Sequence, residues 1–308
     1  GISSIEVIKG PMSVLYGSDA IGGVLYISPE QYLTENGLKV NIESLYNSNY
    51  SGINSSVGLN TKINKFSLLA RASIIDAGDY ENADGTIENT WNEMADFKFG
   101  VGFISKGFES DLRFNFSATK LGIPHEEEHG DHDGDHDDDD HDDEHEEEEE
   151  SYQELENSVI SWKNSIKFNR SELQVTLGLS ENLRKEFGHH EEEGHDDHDD
   201  DHDDDDHDDH EEHEEGEAHI DMQLQTSSLD VKYMFPKTDK FEFILGGSIL
   251  NQENSNFGEE ELIPNSEKQD LGFYGISHVH LKNLDLMVGL RGDQRDIQTA
   301  DFSKSYSS

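Results

Sequence analysis

From Leu38 onward, apolar residues return at every second position over segments of about ten residues, the period of a strand whose two faces meet different surroundings. Phe66, Leu68, Ala70, Ala72 and Ile74 alternate with Ser67, Leu69, Arg71 and Ser73. The same spacing carries Phe97, Phe99, Val101 and Phe103, then Leu112, Phe114 and Phe116, then Leu173, Val175, Leu177 and Leu179. It returns in Phe241, Phe243 and Leu245 and in Leu284, Leu286, Val288 and Leu290. A helical period is nowhere sustained. The pattern predicts about eleven strands, near 38–48, 52–63, 66–76, 93–105, 108–119, 158–168, 172–184, 221–234, 240–251, 269–281 and 284–296. In the segment 221–234 the phase changes, from Met222 and Leu224 to Leu229, Val231 and Tyr233, which predicts a bulge.

Alternation alone fits a soluble sandwich as well as a membrane barrel, and the connections separate the two. Short joints at Asn64-Lys65, Ser105-Lys106-Gly107, Asn169-Arg170-Ser171, Phe235 to Asp239 and Lys282-Asn283 alternate with long ones at 77–92, 120–157, 185–220 and 252–268. Short turns on one rim and long loops on the other are the signature of an outer-membrane barrel. Tilted strands of this length can cross the hydrocarbon. The fold class expected is therefore all-β, a transmembrane antiparallel β-barrel. If each strand crosses once, the loops at 120–157 and 185–220 share the long-loop, outer rim. The joint Asn49 to Ser51 is the exception, too short for its siblings. No apolar run is long enough for a transmembrane helix. The chain starts at Gly1 without an initiator Met or signal peptide and stops in the polar FSKSYSS, and reads as a piece of a longer protein.

Charge changes the picture of those two loops. The run from His125 to Glu150 and the run from His189 to His219 hold 37 of the chain's 70 acidic residues and none of its 22 Lys and Arg. The rest of the chain has a net charge of only −11, so the pI of 4.4 describes the runs and not the fold. Fifteen of the 17 histidines lie in the runs, and only His278 and His280 lie outside them. So acidic a chain has no patch suited to phosphate backbones, and no nucleic-acid partner is expected. The absence of cysteine rules out disulfides and thiolate metal sites.

Ahead of the first barrel strand lies IEVIKGPMSVLYGSDAIGGVLYIS, Ile5 to Ser28. Gly10-Pro11 breaks a strand at a turn, and Gly17, Gly22 and Gly23 allow positive φ or close packing, while Ile5, Val7, Val24 and Ile27 supply strand cores. The segment resembles the end of the plug domain of TonB-dependent outer-membrane receptors, through Ile5 to Pro11, Leu15 to Ser18 and Ala20 to Val24, with Leu25-Tyr26-Ile27 in place of the usual I-N-I. The resemblance implies a plug ending near residue 30, then the first half, residues 38–308, of a 22-stranded barrel in the outer membrane of a Gram-negative bacterium. It also implies import driven by the TonB complex through a segment upstream of Gly1. The plug residues identify the family and are expected to build the plug's sheet without touching cargo.

Imidazole with carboxylate is a ligand set for Zn²⁺, acceptable also to Ni²⁺, Co²⁺ or Cu²⁺. Carboxylates alone would serve calcium or magnesium, so the histidines point to a transition metal. The candidate ligands are His125, His129, His132, His136, His141 and His145 in the first run. In the second they are His189, His190, His195, His198, His202, His207, His210, His213 and His219. Spacings such as His132 to His136 and His207 to His210 favour several exchanging sites over one fixed site, in acidic tracts expected to be disordered. His125-Glu126-Glu127-Glu128-His129 satisfies H-E-x-x-H literally, but that motif needs a buried helix with apolar anchors, so no enzyme and no prosthetic group is expected. His278 and His280 share one face of a strand opposite Leu271, Phe273, Val279 and Leu281, and should point into the lumen near the short-turn rim, hydrogen-bonded to plug or wall in preference to the alternative role of exit ligands for the ion.

The function expected is import of a divalent transition metal, zinc first, as in the zinc-uptake branch of the resembled family. A siderophore, haem or cobalamin receptor of the same fold with accessory metal-scavenging loops, or a surface metal-binding protein without transport, are the alternatives. Besides the TonB complex, the partners are the metal ion or its chelate and outer-membrane lipid.

Overall fold

The computed structural model describes residues 2–83, 85–124, 151–188 and 218–307. Strands β1 (Ile2–Ile8) and β2 (Val24–Pro29) pair antiparallel, with Ile5 opposite Ile27, and enclose two short 3-10 segments, Gly10–Tyr16 and Ser18–Gly22. There follow β3 (Gly37–Asn47), β4 (Gly52–Ile63), β5 (Phe66–Ala77), β6 (Tyr80–Glu81), β7 (Thr86–Ile87), β8 (Asn92–Ser105), β9 (Phe108–Gly122) and β10 (Tyr152–Phe168). The chain continues through β11 (Ser171–Phe187), β12 (Ile220–Met234), β13 (Phe241–Asn256), β14 (Ser266–Leu281), β15 (Leu284–Thr299) and β16 (Ser303–Ser307). Apart from β6 and β7, which make a small ribbon of their own, β3 to β16 form one twelve-stranded antiparallel meander in chain order.

The registers show why alternation produced this sheet. One row across it runs Leu68, Val101, Leu112, Trp162, Leu177, Leu229, Ile249, Leu271. Most of these side chains are exposed, Leu112 and Trp162 each at 44%, so a hydrocarbon solvent and not a protein core must cover them. The neighbouring row on the opposite face reads Asn60, Leu69, Gly100, Arg113, Ser161, Gly178, Ser228, Leu250, Asp270, Arg295. This is the lumenal face, and Leu69, Tyr274 and Ile276, among the best-buried apolar residues described, lie on it. Among the described residues no helix is long and apolar enough to cross a membrane.

The structure corrects the sequence reading in three places. The bulge expected in 221–234 is absent, since β12 pairs with β11 and β13 without a slip, and Met222 and Leu224 simply face the lumen while Leu229, Val231 and Tyr233 face outward. The sheet has a twelfth strand, β16, whose SKSYS carries no apolar alternation and which is held by its ladder to Gln294–Gln298. Several strands are longer than the apolar pattern. β10 and β11 reach 17 residues each, with Tyr152–Asn157 and Lys185–Phe187 in strand and not in loop. At about 3.3 Å per residue and a tilt of about 45° they rise about 40 Å against roughly 30 Å of hydrocarbon, so ladder hydrogen bonds hold their polar ends above it. Among the described residues, Ile5, Val7 and Ile27 are 60%, 65% and 49% exposed on the two-stranded ribbon of β1 and β2.

Of the plug glycines, Gly10 (φ 76°), Gly17 (φ 124°) and Gly23 (φ 115°) hold backbone conformations that L side chains rarely adopt. Gly22 needs neither positive φ nor close packing.

Candidate functional site

Fourteen of the fifteen candidate ligands, His125, His129, His132, His136, His141, His145, His189, His190, His195, His198, His202, His207, His210 and His213, lie outside the described residues. His219 is described. Its N–H donates to the Glu186 carbonyl at 2.9 Å and its carbonyl accepts from Glu260 N–H at 2.9 Å, which fixes it at the foot of the second run. What the structure does give is where both runs attach. Tyr152 pairs with Gly122 on one side and Phe187 on the other, and Glu186 pairs with Ile220. The four strand ends therefore stand side by side, and both runs leave from the same rim on adjacent hairpins.

That rim is firmly built. Asn89 Nδ2 donates to the carbonyls of Ile123 and Ser151, both at 2.7 Å, closing the neck of the first run. Tyr152 stacks on Phe187 at 4.6 Å, and Lys120 Nζ lies 3.9 Å over the Tyr152 ring. Strand carboxylates match the cations nearby, in Lys120–Glu154 at 3.4 Å and Lys185–Asp221 at 3.1 Å.

Inside the lumen, polar contacts fasten the plug segment to the wall in two places. Arg71 reaches Glu30 at 3.0 Å, and Arg113 Nη1 donates to the Glu30 carbonyl at 2.8 Å while its Nε grips Asp111. Tyr32 donates to Asp111 at 2.7 Å and lies in a groove made by Gly100 and Gly102, where a Cβ on Gly100 would come 2.6 Å from the Tyr32 hydroxyl. A strand glycine pair at i and i+2 marks just such a close approach. Sequence reasoning passed over it. On the other side, Gly289 admits the plug, since a Cβ there would meet the Pro11 carbonyl at 2.6 Å. Arg291 Nη1 donates to the Val14 carbonyl at 3.1 Å. Arg295 bridges two carboxylates, plug Asp19 at 2.7 and 3.1 Å and wall Asp270 at 2.7 and 2.8 Å, a fork-to-fork geometry that only a planar guanidinium offers. Burial raises the Tyr16 hydroxyl above the usual phenol value, and Tyr26, Glu6 and Asp230 push the same way.

At the opposite, short-turn rim, His278 and His280 do point into the lumen. Glu242 sits directly across from His278 and Asp285 directly across from His280. His280 Nδ1 lies 2.7 Å from Asp285 Oδ1, and its Nε2 lies 3.1 Å from Glu242 Oε1. Lys237 also pairs with Glu242. The two imidazole rings are 3.9 Å apart, and donor atoms of Glu242, His278 and His280 all come within 4.8 Å of one another. The expected hydrogen bonding to the wall is present at His280. Glu242 was missed from sequence because it stands 36 residues before His278 and only the ladder brings the two together.

Comparison with known proteins agrees with this geometry. Residues 1–24 match the family described as the TonB-dependent receptor plug domain. No curated sequence matches the chain. Among solved structures, the FrpB iron transporter from Neisseria meningitidis is similar over 100% of this chain and 48% of its own, at a TM-score of 0.72 and 14% identity. The copper transporter OprC is similar over 98% of this chain and 45% of its own, with TM-score 0.64 and 13% identity. The siderophore receptor PirA from Pseudomonas aeruginosa is similar over 99% and 45%, with TM-score 0.61 and 12% identity. The chain thus has the fold of part of a TonB-dependent receptor, a plug end with part of the barrel around it, and spans about half the length of these structures.

Proposed function

We propose that this chain is part of a TonB-dependent outer-membrane importer of a divalent transition metal, zinc first, whose two acidic histidine runs face outside the cell and gather the ion. The observation that carries this reading is the attachment of both runs, with fifteen imidazoles among 37 carboxylates, to adjacent hairpins of one rim. Carboxylates concentrate cations, and imidazoles select transition metals among them. Support for import comes from the plug match and from the plug's polar fastening to the lumenal wall, by an ion pair and a hydrogen bond that an applied pull can break. Energy from the TonB complex would supply that pull. A ferric-chelate cargo is the second reading, favoured by the iron and siderophore proteins among the similar structures. It leaves the histidines only an accessory, metal-scavenging role.

The test is import of radioactive zinc into zinc-starved cells expressing the full-length receptor, with and without TonB, against nickel, copper and a ferric siderophore as competitors. TonB-dependent zinc import, weakened by nickel or copper and indifferent to the siderophore, is the expected result. Zinc import equal to that of cells lacking the receptor would sink the proposal.

A further inference from the structure

The short-turn rim holds a side-chain cluster that the runs do not explain. Elsewhere on this rim an ordinary ion pair suffices, as in Lys167–Glu109 at 2.5 Å, with no imidazole nearby. At the foot of β13, β14 and β15 the same rim instead gathers two imidazoles and two carboxylates on adjacent lumenal positions. We infer that Glu242, His278 and His280 form a divalent transition-metal site at the inner mouth of the lumen, with Asp285 orienting His280 from behind.

The geometry fits such a site atom by atom. Two donors bound to a tetrahedral Zn²⁺ at about 2.0–2.1 Å lie about 3.3 Å apart. Glu242 Oε1 and His280 Nε2 are 3.1 Å apart, so an ion between them takes the place of the hydrogen that now joins them. His278, within 4.8 Å of both, closes the third position by a small side-chain rotation. Asp285 accepts from the other ring nitrogen of His280 at 2.7 Å, the arrangement by which a carboxylate fixes the tautomer and direction of a ligating imidazole. His280 N–H donates to the Lys240 carbonyl at 2.8 Å, which holds the backbone carrying that ligand. Lys237 is the competitor, a 71% exposed ammonium paired with the same Glu242 oxygen, and an incoming dication would displace it. Two His and one Glu leave a fourth position open, which suits an ion that arrives and leaves. As a binding site the cluster stands alone, and as the last station of a cation leaving the lumen it rests on the import reading above.

The experiment uses the full-length receptor purified in detergent, with His125–Glu150 and His189–His219 deleted to remove their background, and Co²⁺ as probe. One equivalent of Co²⁺ with the intense visible bands of four-coordination is expected, displaced by Zn²⁺. His280→Gln should abolish it, and Asp285→Asn should weaken it about 10–100-fold. Lys237→Ala should tighten binding several-fold, a gain that misfolding cannot imitate. No Co²⁺ binding at millimolar metal, or the same spectrum and affinity in His280→Gln, overturns the site. Binding lost in His280→Gln with zinc import unchanged would leave the site standing and remove its role as exit station. Import absent from the intact receptor with Co²⁺ still bound would overturn the import reading alone.

Discussion

The two rims of the sheet carry the same chemistry, imidazole beside carboxylate, in opposite ways. On the long-loop rim the ligands are specified by number, fifteen histidines whose sequence spacing offers many interchangeable triplets. On the short-turn rim they are specified by position, two histidines and two carboxylates that the ladder sets across from one another. Composition can raise the local concentration of an ion, while only register can set donor atoms 3.1 Å apart. Capture and coordination, the two roles proposed for these rims, thus call for different kinds of sequence.

The largest test of that contrast is topological. An epitope placed between Asp138 and Asp139, or between Asp204 and Asp205, should be labelled on intact cells, because both runs leave from the rim opposite the short turns. Labelling only after lysis would exchange the two rims. Next in size is deletion of both runs, which should slow zinc import about tenfold at scarce zinc and leave import at abundant zinc nearly unchanged, as expected of a gatherer of weak sites. Loss at every concentration would make the runs the transport site itself. Acid should act on the runs, since a protonated imidazole cannot ligate. With an unperturbed pKa of about 6.5, zinc retention by cells carrying the full-length receptor should fall several-fold between about pH 7 and pH 5.5. Flat retention over that range would mean that carboxylates alone hold the ion. The smallest effect separates the rims most finely. Raising salt from about 0.01 to 0.15 M shortens screening from about 30 to 8 Å, so capture by the runs should drop about threefold while Co²⁺ binding at the inner mouth changes less than twofold. Equal losses would show that both act by charge alone.

How far the fold could be read in advance depended on which force shaped each part. Where lipid faces the strand, as from Leu284 to Leu290, alternation marks both the element and its outward face, and the structure agrees nearly to the residue. Where the strand rises above the hydrocarbon, as in Tyr152–Asn157, backbone ladders are enough and side chains need not alternate, so the pattern stopped early. At β12 the same boundary passed for a bulge, because Met222 is an apolar residue on the lumenal face. For the inner cluster, His278 and His280 announced themselves by sharing a face, and Glu242 and Asp285 did not, since partners across a ladder leave no local mark. Tyr32 was legible only through its receptor, the glycines at 100 and 102.

The plug fastenings have a consequence for assembly. Strand pairing in the meander joins neighbours along the chain, so each hairpin can zip from its own turn. The bonds from Arg291 to Val14 and from Arg295 to Asp19 instead join residues separated by 277 and 276 positions. Contacts so distant in sequence cannot form until nearly all the intervening chain has found its place, and loop-closure entropy puts them late. The plug segment's bonds to β15 therefore form only after the wall that holds them has been laid down strand by strand.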